Sequence, residues 1–377
     1  MKIIVYGDFH PRNRGREVAK AGKFESLFSE VKAVNEAYDY RIANLECPVV
    51  TGEASPIAKD GPCIKCGEEG PALLGYAHFD CVTLANNHFR DYGEEGVQQT
   101  LQALQKHGID HVGGGRRLDE ASRTLFKEVK GATLAIVNCA EHESSIATDS
   151  RGGSNPLDPI RQYRAIKEAR AQADYVVVIV HGGVEHYDKP TPRMQECYRF
   201  FVDAGADAVV NHHQHCFSGY EVYQGKPIFY GLGNFFFDNP KCVGVGWNKG
   251  YAVGLNLEDG RVEFQLIPYL QCSGQPRWTR LDEKEEAEFL QTIGAINAIV
   301  ADPTALKKAH LQFLEEHVGL NEALLTPYTS YWAEALCEKG WLPNYYPKKK
   351  LVVLLNRIEC ESHRERLIHY INHRLGR

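Results

Sequence analysis

The chain has 377 residues, of which 43% are hydrophobic and 24% are charged, and its formal net charge is −6 at pH 7. The composition is that of an ordinary globular protein, and the length is typical of two or three domains. The negative net charge excludes a general attraction to nucleic acid or anionic membranes. The 11 cysteines are too scattered for a disulfide framework, and the first residues lack the pattern of a signal peptide. No apolar run is long enough to span a bilayer, so we expect a cytoplasmic protein without a membrane span.

Short β-branched runs alternate with segments of helical spacing over the first 230 residues. This alternation predicts an α/β fold with a largely parallel or mixed sheet. The run at 175–180 is apolar throughout, which is typical of a strand covered on both faces. The predicted strands are 2–6, 40–45, 81–85, 133–138, 175–180, 207–211 and 227–230. The predicted helices are 24–38, 93–107, 158–173 and 191–204.

The pattern changes after residue 230. An antiparallel hairpin is predicted from 251–257 and 261–267, which flank a Glu258-Asp259-Gly260 turn. From about residue 280 onward the spacing is helical, and prolines and glycines separate the segments. The predicted helices are 281–300, 304–317, 321–336 and 351–375. We therefore expect one domain at 1–275 and a helical C-terminal region at 276–377.

Polar clusters follow the carboxyl ends of the predicted strands, where open α/β sheets bind their ligands. Carboxylates, imidazoles and a carboxamide that converge there form a mixed nitrogen and oxygen site, which suits divalent Mn, Fe or Zn. Two such ions, about 3.5–4 Å apart, can activate water and stabilise the attacking and leaving oxygens of a displacement. The candidate clusters are Asp8 with His10, Asn44 with Glu46, Asn87 with His88, Glu141 with Glu143, His181 with Glu185 and His186, and His212 with His213 and His215.

Each cluster alone also has a structural explanation. Asp8 can cap a turn, Glu46 can form a salt bridge, and His181 can be a buried core histidine. The four residues from His212 to His215 form the most specific single cluster, and the shared placement of all the clusters favours a metal site. The Cys63-x-x-Cys66 pair has no second cysteine pair at zinc-site spacing, so it does not indicate a metal site.

The motifs around these clusters form an ordered set. They are Gly7-Asp8, Asn44-Leu45-Glu46-Cys47-Pro48, Leu84-Ala85-Asn86-Asn87-His88, Asp91-Tyr92-Gly93, His181-Gly182-Gly183, Gly205-Ala206-Asp207, His213-Gln214-His215 and Tyr230-Gly231-Leu232-Gly233-Asn234-Phe235. Over roughly residues 1–240 this set resembles the bacterial capsule synthesis (poly-γ-glutamate synthesis, CapA-type) family. That family is similar to the calcineurin-like metallophosphoesterases, which implies a four-layer αββα sandwich of two sheets flanked by helices.

The resemblance also implies a dinuclear metal site. Glu46 stands where an aspartate usually bridges both ions and is one methylene longer. His88 matches the catalytic histidine that follows the ligand asparagine. The resemblance assigns Asp8, His10 and His215 to one ion and Asn87, His181 and His213 to the other.

Three functions remain open from the sequence. The first is a phosphoesterase in polysaccharide or poly-γ-glutamate-type polymer metabolism, in which a metal-activated hydroxide attacks a small-molecule or polymer phosphoester. Arg12, Arg14, Arg16 or Arg90 would then hold the substrate phosphate. The second is a metal-dependent amide or γ-glutamyl hydrolase. The third is a non-catalytic, metal-stabilised component of a complex that synthesises a capsule polymer.

Overall fold

The computed structural model describes residues 1–59, 61–242, 246–317, 330–342, 348–359, 367–368, 370–372 and 375. The strands are β1 Lys2–His10, β2 Tyr40–Leu45, β3 Cys81–Thr83, β4 Asp110–Val112, β5 Gly114–Gly115, β6 Leu125–Val129, β7 Ala132–Ala140, β8 Gly153–Ser154, β9 Tyr175–His181, β10 Ala208–His212, β11 Tyr220–Tyr223, β12 Lys226–Phe229, β13 Asn234–Phe237, β14 Lys249–Glu258, β15 Arg261–Gln271 and β16 Trp278–Arg280. The helices are α1 Asn13–Lys20, α2 Phe24–Asn35, α3 Glu69–Tyr76, α4 Gly93–Lys106, α5 Leu118–Ala121, α6 Pro159–Arg170, α7 Pro192–Ala204, α8 Glu283–Ala301, α9 Pro303–Glu316, α10 Tyr331–Glu338 and α11 Lys348–Glu359.

The strands form two mixed sheets and one small ribbon. The first sheet has the order β16-β15-β14-β1-β2-β3-β4, and β13 also pairs with β1. The second has the order β11-β12-β10-β9-β7-β6, and β5 pairs with β8 separately. β1 to β4 run parallel in the first sheet, as do β7, β9, β10 and β12 in the second. The mixed α/β sheet architecture expected from the sequence is therefore confirmed.

The alternation of side chains along the central strands divides them between three apolar cores. On β9, Val177 and Ile179 face a core that contains residues of both sheets, whereas Val176 and Val178 face a core under α6 and α7. On β1, Ile3 belongs to the shared core, and its neighbour Ile4 belongs to the core under α1 to α4. Helices therefore cover the outer face of each sheet, and the four-layer sandwich implied by the resemblance is confirmed.

Several predicted elements differ in extent from those observed. The strand predicted at 81–85 ends at Thr83, and the sequence pattern missed the short edge strands β4, β6, β11 and β16. Such strands have few residues in the interior and so carry no clear apolar period. The predicted helix 321–336 is described only from residue 330, and α10 begins at Tyr331; the predicted helix 351–375 is described mainly as α11.

The chain divides into two compact units, Met1–Lys307 and Lys308–Arg377. α8 belongs to the first unit, where Phe289 lies in the core between the sheets and its ring centroid is 4.5 Å from that of Phe217. The domain boundary that we place near residue 275 stays a prediction from the sequence pattern. Among the described residues, no helix combines the length and the apolar character needed to cross a membrane.

Candidate metal centre

The candidate site lies where strands of both sheets end. Asp8 of β1 pairs with Asn44 of β2, and His181 of β9 pairs with His212 of β10. Two hydrogen bonds connect the sheets here. The backbone N–H of His213 donates to Asp8 Oδ2 at 3.2 Å, and Asn44 Nδ2 donates to His181 Nδ1 at 3.2 Å. The fold thus brings together side chains that are far apart in the chain.

Four side chains form a first group of ligand atoms. Asn87 Oδ1 and His213 Nδ1 each lie 3.1 Å from His181 Nε2, and Glu46 Oε1 lies 3.7 Å from the same nitrogen. Protein nitrogen and oxygen atoms bind zinc at about 2.0–2.2 Å, so two ligands of one ion stand roughly 3–3.5 Å apart. The four atoms therefore have about the spacing of ligands to one ion.

Asp8, Glu46 and His215 form a second group. Their ligand atoms lie within 4.8 Å of one another, and all three side chains are buried. His215 Nε2 is 3.7 Å from Glu46 Oε1, and His215 Nδ1 is 3.8 Å from Asp8 Oδ2. Glu46 therefore belongs to both groups, through the same oxygen atom.

Glu46 provides the test of whether a cation fits this site. Its side chain is fully buried, and neither carboxylate oxygen has a hydrogen-bond partner within the described structure. Burial raises the pKa of Glu46 well above its usual value, and the nearby Asp8 carboxylate raises it further. An unpaired buried carboxylate is costly unless a cation compensates it. The residues present thus fit a divalent metal ion between the two groups.

The histidines of the site are held in the form that binds metals. Burial lowers the pKa of His213 to about 3 and that of His181 well below its usual value. Burial also lowers the pKa of His215, and in both His181 and His213 the neighbouring imidazoles lower it further. A neutral imidazole keeps the lone pair that a metal needs.

Two of these histidines have strained backbone conformations. His213 has φ of 99° and His215 has φ of 55°, a region that residues with a side chain rarely adopt. Such a conformation costs about 1–3 kcal/mol, and it persists where the surrounding structure enforces it, often at functional sites. The tight turn after β10 places both rings at the strand ends.

Two asparagines orient ligand candidates, and the sequence interpretation gave neither of them this role. Asn44 Nδ2 donates to Asp8 Oδ1 at 2.7 Å. His215 Nδ1 lies 2.9 Å from Asn234 Oδ1, and Asn234 Nδ2 donates to the His215 carbonyl at 3.1 Å. Because a carbonyl oxygen only accepts, Asn234 places the His215 proton on Nδ1 and leaves Nε2 free for a metal. The sequence signal was the position of both asparagines after or at the end of a predicted strand, within motifs of the family resemblance.

Replacing Asn234 with alanine is expected to weaken metal binding by about 10–100-fold, the usual effect of losing a hydrogen bond that orients a metal-binding histidine. Competition with a chromophoric chelator measures the affinity. Asn239→Ala is the matched control, since Asn239 lies on the same segment and its side chain contacts Cys242. Equal affinities for the two variants would show that Asn234 does not orient a ligand.

His10 lies outside both groups of ligand atoms. Its ring is buried, Nε2 is 3.3 Å from the Lys65 carbonyl oxygen, and Nδ1 has no hydrogen-bond partner among the described residues. Burial, together with the charge of Arg12, lowers the pKa of His10 to about 3. The assignment of His10 as a metal ligand stays a prediction.

His88 is held by a buried ion pair. Its Nδ1 lies 2.6 Å from Asp91 Oδ2, and Asp91 Oδ1 accepts a hydrogen bond from Lys59 Nζ at 2.6 Å. Asp91 is fully buried and the Lys59 side chain is 4% exposed. The charge of His88 influences the pKa values of Asp8 and His213, so its ring lies near the centre. Lys59 had no signal in the local sequence, because it comes from the loop after β2, and Asp91 had appeared only in the Asp91-Tyr92-Gly93 motif, without a role.

The loop after β7 brings acidic side chains to the same site. Glu143 Oε1 is 3.9 Å from His213 Nε2, and the neighbouring Asn87 side chain lowers the pKa of the Glu143 carboxyl slightly against the effect of burial. Burial raises the pKa of Glu143, although 45% of its side chain is exposed. The structure thus gives the cluster at 141–143 a place beside the first group.

Comparison with known proteins identifies relatives of the chain. The family model described as "Bacterial capsule synthesis protein PGA_cap" matches residues 2–239. The "PGA biosynthesis protein CapA" of Bacillus subtilis (strain 168) is 34% identical over 276 residues, which cover 71% of this chain and 71% of that protein. The "Capsule biosynthesis protein CapA" of Bacillus anthracis is 29% identical over 289 residues, which cover 74% of this chain and 69% of that protein.

Among solved structures, a putative 5'-nucleotidase from Staphylococcus aureus in complex with alpha-ketoglutarate is similar, with a TM-score of 0.46 and 17% identity. The alignment covers 77% of this chain and 57% of that chain.

Proposed function

The chain belongs to the bacterial capsule synthesis protein family, and we propose that it is a phosphoesterase that depends on two divalent metal ions. The names of its relatives from Bacillus subtilis and Bacillus anthracis associate them with PGA and capsule biosynthesis. These names support a substrate from polysaccharide or poly-γ-glutamate-type polymer metabolism.

The observation that carries the proposal is the position of Glu46. Its Oε1 lies 3.7 Å from both His181 Nε2 and His215 Nε2, which belong to the two different groups. A single carboxylate between two sets of ligands is the arrangement expected for a bridge between two ions. We propose that Asp8, His10 and His215 hold one ion and that Asn87, His181 and His213 hold the other.

The residues around the ions supply orientation and a proton. A pair of divalent cations, when bound, supplies Lewis-acid activation of water and neutralisation of the charge that develops on phosphorus. His88 is proposed to donate a proton from Nε2 to the leaving oxygen, because its other nitrogen faces Asp91. Lys59 balances the charge of Asp91 and so keeps the pair stable in a buried position.

Metal content and a substrate panel test the proposal together. After reconstitution with manganese or zinc, we expect elemental analysis to find close to two ions per chain. With manganese present, we expect turnover of p-nitrophenyl phosphate or bis(p-nitrophenyl) phosphate. A chain that binds no metal after reconstitution would contradict the proposal at its first step.

The same panel separates the two alternatives. Turnover of γ-glutamyl-p-nitroanilide without turnover of the phosphoesters would identify an amide or γ-glutamyl hydrolase. Two bound ions with no turnover of any substrate would instead favour a metal-stabilised component of a polymer synthesis complex. Chelated protein serves as the control for contaminating hydrolases.

A further inference from the structure

Four arginines close in sequence to the ligand turns are candidates for contact with a substrate anion. The structure distinguishes them, because three are already bound to carboxylates. Arg12 has no carboxylate within ion-pair distance among the described residues. The bound arginines are Arg14 with Asp238 at 2.6 Å, Arg16 with Glu69 at 2.6 Å and Arg90 with Glu94 at 3.1 Å.

Arg12 follows β1 in an extended conformation, with φ of −136° and ψ of 173°. Because side chains alternate along a strand, Asp8 and His10 share one side of β1, and Arg12 comes two residues later. Asp8 and His10 are both buried on that side, whereas Arg12 is half-buried. Arg12 therefore continues the row of ligand candidates toward the surface.

An aromatic ring connects Arg12 to the centre. Arg12 Cζ lies 5.7 Å from the centroid of the Phe237 ring. The same ring is 4.9 Å from the His10 ring and 5.2 Å from the His215 ring, in both cases edge-on. The guanidinium thus borders the part of the site that contains Asp8 and His215.

The part of the site beside His213 is acidic. Glu143 lies beside His213, and the charges of Glu143 and Glu185 both act on Glu46. An anionic group is repelled by these carboxylates and attracted by Arg12. The electrostatic potential of the site is therefore more positive near Arg12 than near Glu143. A substrate with one anionic group is oriented by this difference before any reaction.

We propose that Arg12 binds the phosphate oxygens of the substrate, as the specificity residue of the centre. The planar guanidinium can donate two parallel hydrogen bonds to one phosphate group, which a lysine cannot do. The inference rests on the proposed function, because it assumes that the ions and the substrate phosphate share this site. Arg12 acts on binding, and His88 acts on the leaving oxygen.

Inorganic phosphate is the probe for this inference. In isothermal titration of the manganese-loaded full chain, we expect Arg12→Gln to weaken phosphate binding by about 10-fold or more, and Arg12→Lys to give an intermediate affinity. Arg16→Gln is the matched control, since Arg16 is already paired with Glu69, and it should change the affinity less than twofold. In turnover of a phosphoester, Arg12→Gln should raise KM and leave kcat nearly unchanged.

Three results in the variants would overturn the inference. The first is an affinity of Arg12→Gln for phosphate equal to that of the wild type, and the second is an equal loss of phosphate affinity in Arg16→Gln. The third is loss of metal from Arg12→Gln, which would mean that Arg12 stabilises the metal centre and does not bind the substrate. A metal-loaded wild-type chain that binds no phosphate would also overturn it. If the wild-type chain binds phosphate through Arg12 but hydrolyses no phosphoester, the inference stands and the proposed phosphoesterase activity fails.

Discussion

His88→Ala is expected to lower turnover about 10²–10⁴-fold, the range that a general acid contributes, while the metal content stays near that of the wild type. The reason is the separation of roles in the site. His88 lies in neither group of ligand atoms, and its Nδ1 is bound to Asp91 at 2.6 Å. Removing the ring therefore removes a proton donor and not a metal ligand.

The leaving group gives this prediction a second measurement. A substrate with p-nitrophenolate as its leaving group needs little protonation, whereas an alkyl phosphoester needs much more. The loss of kcat in His88→Ala should consequently be larger for the alkyl substrate. Asp91→Asn should show the same preference with a smaller loss, because the imidazole remains but loses the carboxylate that holds it.

His107→Ala is the control for the removal of a histidine that pairs with a carboxylate elsewhere in the fold. His107 Nε2 is 2.9 Å from Glu68 Oε1, at the C-terminal end of α4. This variant should retain full activity. If His88→Ala loses its metals, His88 is a ligand and the proposed role is wrong. Unchanged activity of His88→Ala would mean that His88 is neither a metal ligand nor a proton donor.

Glu46→Gln is expected to remove both metal ions and, at the same time, to stabilise the metal-free protein. The carboxylate lies between the two groups, so its charge supports both ions. Asp8→Asn and His213→Ala each change only one group and are expected to lose mainly one ion. Elemental analysis of the three variants after identical reconstitution distinguishes a ligand that both ions share from a ligand of one ion.

The gain in stability follows from the raised pKa of Glu46. Burial and the Asp8 carboxylate favour the protonated form in the folded state. The stabilising contribution of the Glu46 side chain is therefore present below its unfolded pKa and is lost as the pH rises through the folded value. At neutral pH the metal-free wild type carries this penalty, and glutamine does not. We expect a gain of about 1–3 kcal/mol, which corresponds to several degrees in Tm.

The pH and the metal together make the measurement specific. In metal-free protein, the advantage of Glu46→Gln should shrink as the pH is lowered and Glu46 becomes protonated. With metal added, the order should reverse, because binding stabilises only the wild type. Glu53→Gln, at an exposed position, should show neither effect. A metal-free Glu46→Gln protein that is less stable than the wild type would show that the carboxylate has a partner in the fold.

The fold class could be predicted because strand and helix periods are local properties of the sequence. The apolar run at 175–180 indicated a strand covered on both faces, and β9 does separate two cores. The order of strands in each sheet could not be predicted. It depends on contacts such as β1 with β13 and β14, whose residues lie more than 200 positions apart in the chain.

The candidate site was predictable to the level of the strand ends. Parallel strands end at one edge of a sheet, so Asp8 could be expected near Glu46, and His181 near His213, from their positions alone. The two pairs meet only because the two sheets pack together. The sequence could not show that Glu46 would belong to both groups, or that His213 presents Nδ1 while His181 presents Nε2. Those facts depend on rotamers and on a backbone turn with φ of 99°.

The partners of these residues were decided only by the tertiary structure. Asn234 orients His215, and Lys59 forms an ion pair with Asp91. Asp238 forms an ion pair with Arg14, whereas Arg12 has no carboxylate partner in the described part of the chain. Each contact joins segments that approach one another only when both sheets have packed. Local periodicity reports which face of a strand a side chain occupies, but the free energy of a buried charge depends on the atoms that surround it. The sequence therefore determined which strand ends carry ligand candidates, and packing determined which side chains meet there and what each of them can do.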